Sequence, residues 1–146
     1  MPASYTGRCN CGAVTAVIDA EPLWVRQCWC RQCQKIAAGS ATNNALFMTE
    51  AMTIAGEIAW ASYTADSGNT VEQGFCPNCG THILGRNSAR QRANVVRLGF
   101  LEGPHELGPQ SAIWLEEAPA WAAINPEIET FLRQPAPPQR PDRTEN

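Results

Sequence analysis

Gly74-Phe75-Cys76-Pro77-Asn78-Cys79-Gly80-Thr81 closes a β-branched, apolar run by setting two thiols on a short turn with a glycine behind them. Such a segment reads as a metal knuckle. The glycine lets the backbone curl so that its N–H groups face sulfur. One knuckle supplies two ligands, and Cys9-Asn10-Cys11-Gly12 has the same form. Brought together by the fold, Cys9, Cys11, Cys76 and Cys79 make a closed site of four thiolates. Zinc suits it, having no geometric demand of its own and favouring thiolate. Clustered pairs argue against the plainer reading of buried or free thiols.

The chain has seven cysteines, so the remaining three fall together in Cys28-Trp29-Cys30-Arg31-Gln32-Cys33. A metal on three protein ligands keeps a fourth position for water or substrate, as catalytic zinc does. Such a site would bind a substrate thiol or polarise an oxygen. Arg31 and Lys35 lie close in sequence and are expected to offset the thiolate charge. A redox pair at Cys30 and Cys33 is the alternative, but no βαβ context surrounds it. Iron–sulfur ligation would need a further ligand and a different pairing.

Around these clusters the chain reads as short strands rich in β-branched and aromatic residues, broken by Gly, Asn, Asp and Pro. Candidates are 14–18, 23–28, 45–48, 52–54, 58–63, 71–75, 81–84, 95–100 and 112–115. A short helix is expected over Arg31 to Ala38. A C-terminal helix is expected from Asn125-Pro126, a cap and first turn, to about Arg133. One domain spans residues 5–134, and the proline-rich stretch 135–146 reads as a mobile tail.

The length of 146 residues suits one domain, and 44% hydrophobic residues suffice for one modest core. A net charge of -3 with only 17% charged residues lacks the footprint of a nucleic-acid binder. No apolar stretch approaches the roughly 20 residues of a membrane span, so no membrane partner is expected. The start lacks a basic segment followed by an apolar one, which leads us to expect a reducing, cytoplasmic setting without disulfides.

In this order and context the three clusters resemble the glutathione-dependent formaldehyde-activating enzyme family, which includes the centromere protein V-like proteins. The matching segments are Gly7 to Val14, Cys28 to Lys35 and Gly74 to Thr81, with Ile113-Trp114 and Trp121 resembling the family's late strand and closing tryptophan. The resemblance implies a mainly β, Mss4-like fold of short antiparallel sheets around two zinc ions per chain. It implies a structural zinc on Cys9, Cys11, Cys76 and Cys79, and a catalytic zinc on Cys28, Cys30 and Cys33. The implied activity is that of a carbon–sulfur lyase, joining glutathione and formaldehyde or separating S-hydroxymethylglutathione. Its partner would be a small thiol or thiol adduct. One departure is Ala112, where many relatives carry histidine.

Other residues have competing readings. His82 is a hydrogen-bonded strand residue or a fourth ligand or general acid/base. His105 reads as a surface turn residue. Trp24, Trp29, Trp60, Trp114 and Trp121 read as core, with Trp29 set apart because it lies between two ligands. Asn43-Asn44 could meet a peptide-like ligand, and Glu116-Glu117 reads as a solvated strand end. Against the enzyme stand two other classes: an inert zinc-binding recognition module, and a thiol-based metal or redox sensor.

Overall fold

The computed structural model describes residues 4–136. Eleven strands and one short helix follow each other: β1 Tyr5–Arg8, β2 Thr15–Ile18, β3 Trp24–Cys28, α1 Arg31–Ile36, β4 Thr42–Met48, β5 Met52–Ala55, β6 Ala59–Thr64, β7 Thr70–Phe75, β8 His82–Asn87, β9 Ala93–Arg97, β10 Ser111–Ile113 and β11 Glu129–Thr130. Three 3-10 turns, Thr49–Ala51, Leu98–Phe100 and Leu115–Glu117, join or end strands.

The strands form two sheets. β1, β2 and β5 make a small antiparallel one; the larger has the order β11-β10-β3-β4-β9-β8-β7-β6. From β3 to β6 every pairing is antiparallel. β10, however, lies parallel to both β3 and β11, so the larger sheet is mixed rather than purely antiparallel.

Between the sheets lies the core. Ala16 and Ile18 of β2 meet Val25, Ala45, Phe47, Leu84 and Val96 of the large sheet, with Phe100 sealing one end. Alternation explains the choice: along β4, Ala45 and Phe47 point into this core, and Thr42, Asn44 and Leu46 point to the other face. That other face splits in two. Leu46, Val95 and Ala93 form an apolar patch with Trp24 and Met48. Nearer the ends of β3, β4 and β9 the same face carries Cys28, Thr42, Asn44 and Arg97.

The C-terminal helix expected over 125–133 does not form. Asn125 Oδ1 accepts from Glu127 N at 2.9 Å, as a cap would, but the turn is not continued. Instead Glu129 N donates to Gln110 O and Phe131 N to Ala112 O, making β11 an edge strand. Phe131 then packs against Cys28, Cys33 and Ile113, and this long-range pairing and burial outweigh the local helix signal. Strand β1 was not foreseen either. Of the expected tail, residues 137–146 lie outside the described residues.

Candidate metal centres and the wall beside them

The first and third cysteine groups meet. Cys9 and Cys11 sit on the β1–β2 turn, Cys76 and Cys79 on the β7–β8 turn, and their four sulfurs lie within 4.8 Å of one another. Each turn is held by its own backbone: Gly12 N donates to Cys9 O at 3.0 Å, and Gly80 N to Cys76 O at 2.8 Å. Both glycines are left-handed, with φ of 81° and 76°, where a side chain would be strained. Val14 N donates to Cys9 Sγ at 3.2 Å, the N–H-to-sulfur contact expected of a knuckle. Asn10 N donates to Thr81 Oγ1 at 3.1 Å, which ties the two turns together.

These sulfurs fit a tetrahedral ion. Cys9 Sγ to Cys11 Sγ is 3.7 Å and Cys11 Sγ to Cys76 Sγ is 3.8 Å. A zinc–sulfur bond of about 2.3 Å gives tetrahedral edges of about 3.8 Å. The Thr81 hydroxyl, 3.2 Å from Cys79 Sγ, heads the contacts that bring that thiol down to about 5. Cys9 and Cys76 are buried, and Cys11 is exposed.

The second group forms its own cluster. Cys28 ends β3, Cys30 caps α1 and Cys33 lies in its first turn, with the three sulfurs within 4.8 Å. Cys30 Sγ accepts from Cys33 N at 3.4 Å. Among the described residues no histidine or carboxylate joins either group, so His82 is not placed as a fourth ligand. Cys28 and Cys30, then Thr42 and the charge of Arg97, hold the Cys33 thiol down to about 3. Hydrogen bonding to Cys30 and Cys33, then burial, then the charge on those two sulfurs, push the Cys28 thiol up.

Several supports of this cluster come from far along the chain. Gln34, 4% exposed, donates through Nε2 to Trp29 O at 2.6 Å and Glu117 O at 2.9 Å. Glu117 Oε2 accepts from Arg31 N at 2.6 Å, so this residue, expected to be solvated, braces α1. Trp29 is buried and donates from Nε1 to Gln27 Oε1, with its ring edge-on to Trp121. Trp114 packs on the cluster with a left-handed φ of 61°. Ala112 is fully buried and pairs with Gln27, which places it on the face opposite Cys28.

The cation acting on the cluster is Arg97 of β9, which sequence reading missed; Lys35 is exposed, and the Arg31 guanidinium turns to Gln34 Oε1. Arg97 donates from Nη1 to Asn44 Oδ1 and from Nη2 to Gln73 Oε1. These contacts orient both amides. With its oxygen on Arg97, Asn44 donates from Nδ2 to Thr42 Oγ1 at 2.9 Å, leaving the Thr42 proton for Cys33. Likewise the Gln73 NH₂ group is left to face the Tyr63 hydroxyl, on the same face of β6. Burial first, and then the three thiolates, push the Tyr63 hydroxyl up to about 12.

Gly85 of β8 makes this wall possible. A Cβ there would stand 2.9 Å from Val95 Cγ2, 3.4 Å from Arg97 Nη2 and 3.6 Å from Gln73 Oε1. Gly85→Ala is therefore expected to push Val95 out of its present contact and destabilise the fold by about 1–3 kcal/mol. Chemical denaturation of the two proteins checks it; equal midpoints would show that the contact is dispensable.

The comparisons agree with this geometry. A family profile described as glutathione-dependent formaldehyde-activating enzyme matches residues 4–117. The chain belongs to that family. A crystal structure of a Rhodobacter sphaeroides protein, 20% identical, superposes with a TM-score of 0.56 over 69% of this chain and 91% of that one. It supports the fold this family member adopts. No curated protein matches the chain. Among the described residues no helix is long and apolar enough to cross a membrane.

Proposed function

We propose that the chain is a zinc-dependent carbon–sulfur lyase acting on the adduct of a small aldehyde with a glutathione-like thiol, in a reducing, cytoplasmic setting. In this reading Cys9, Cys11, Cys76 and Cys79 hold a structural zinc, and Cys28, Cys30 and Cys33 hold a catalytic one. The observation that carries it is the three-sulfur cluster, which no fourth histidine, cysteine or carboxylate completes among the described residues. Zinc there would supply an electrophilic position that favours sulfur as thiolate.

In the cleavage direction the carbon–sulfur bond breaks, the sulfur leaves with the bonding pair as thiolate, and the hydroxyl carbon becomes the aldehyde carbonyl as the hydroxyl proton passes to solvent water. The Arg97 charge offsets negative charge gathering on sulfur. The Tyr63 hydroxyl stays protonated at neutral pH, and its proton is free to bond the adduct's oxygen because Gln73 approaches from the amide side. Buried Trp29 and Ile113 limit water behind the cluster.

The test is glutathione added to cobalt-substituted protein that carries two metals per chain. A shift of the visible spectrum, with turnover of S-hydroxymethylglutathione by the zinc form, is expected. An unmoved spectrum without turnover would point to the inert recognition module. Tyr63→Phe is expected to lower kcat about 10–100-fold while both metals stay bound. Steady-state kinetics with metal counting checks this, and an unchanged kcat would remove Tyr63 from the reaction.

A further inference from the structure

Beside the three-cysteine cluster the polar wall opens into a cleft of about 320 Å³. Thr42 of β4, Arg97 of β9, and Thr81 and His82 at the start of β8 line it. Its position is set by the cluster: Thr42 pairs directly with Cys28, and Ile36 of the lining follows Cys33 on α1. Two buried polar atoms on its walls have no hydrogen-bond partner, Arg97 Nε and His82 Nδ1. Neither is a bystander of the metal groups, which contain cysteines alone.

Arg97 is 8% exposed, and its two terminal nitrogens are taken by neutral amides. No carboxylate pairs with it among the described residues. A buried guanidinium with a free Nε edge is a half-filled fork whose natural complement is a planar oxyanion. His82 is fixed by its ring against Phe75, with centroids 5.5 Å apart, and as the Nδ1–H tautomer it donates a second hydrogen bond. Ile36, Ala41 and Leu98 give the rest of the wall, beside Asn43, an apolar stretch that suits a short hydrocarbon tether.

From this we infer that the cleft is a subsite for a carboxylate on the substrate thiol, gripped by Arg97 and His82 while the sulfur sits at the three cysteines. The inference rests on reading that cluster as a thiol-binding centre. It makes Arg97 and His82 specificity residues, selecting acidic thiols over neutral ones of the same length.

Calorimetric titration of the zinc-loaded protein with mercaptocarboxylates, from mercaptoacetate to 6-mercaptohexanoate, tests it against the matching primary amides. At the best length the acid is expected to bind at least about tenfold more tightly than its amide. His82→Phe keeps the ring on Phe75 and is expected to erase most of that preference, as is Arg97→Lys, which keeps charge but loses the fork. Equal affinities for acids and amides at every length would overturn the subsite and leave the thiol centre standing. So would a preference that survives in both variants. If no thiol binds, the thiol-centre reading fails, and butyrate and hexanoate decide the cleft. Binding of either that weakens in His82→Phe sustains a carboxylate site on its own, and no binding overturns it.

Discussion

Cys76→Ser is expected to lower the melting temperature by roughly 10 °C or more and to leave one metal per chain instead of two. Cys76 is fully buried where the two turns meet, and two of its three partner sulfurs, Cys9 and Cys11, come from a turn of the other sheet. Serine would put a hydroxyl among thiolates and leave the Asn10 N to Thr81 Oγ1 bond to tie the two turns with little help. Circular dichroism melts with elemental analysis check it. A melt unchanged by the substitution would show that the clasp is not structural.

The same site gives the pH dependence its sign. Cys79 is lowered from its ordinary value of 9.0 to about 5, so its thiolate contributes stability that is fully present above about pH 9. That contribution fades as pH falls and is gone below about 5. Metal binding runs the same way, since ligands must be deprotonated. Acid should therefore unload the metal and loosen the fold together.

Cys30→Ser is expected to cut turnover at least about 10³-fold, while the melting temperature changes by only a few degrees. The difference from Cys76 follows from position. Cys30 is half-exposed at the start of α1, and the bond its side chain makes to the helix backbone, the cap to Cys33 N, is one that serine can replace. Kinetics, a melt and a metal count on one preparation decide the case. Turnover near wild type would sink the catalytic reading, whereas a collapsed fold would move Cys30 to a structural role.

What was legible from sequence was whatever lay close along the chain. The division of cysteines into two groups follows from turn chemistry at Gly12 and Gly80, and most strands follow from short apolar runs. Arg97 gave no signal, because its partners Asn44 and Gln73 come from strands 53 and 24 residues away. Tyr63 and Glu117 were missed for the same reason. At Asn125 the cap-like bond forms but the helix expected to follow it does not, because the competing ladder to β10 is non-local. Gly85 reads as an ordinary strand glycine until its neighbours across two strands are known.

The two clusters also differ in how far apart their ligands lie along the chain. Cys28, Cys30 and Cys33 are within five residues of one another, whereas Cys11 and Cys76 are separated by 65. During synthesis the first set leaves the ribosome whole, long before Arg97 exists to balance its charge. The second set cannot close until the β7–β8 turn has emerged. An ion caught early therefore meets the three-cysteine group first, and the four-cysteine clasp is filled last. Metal scarcity during translation would then yield chains loaded at the three-cysteine group but open at the seam.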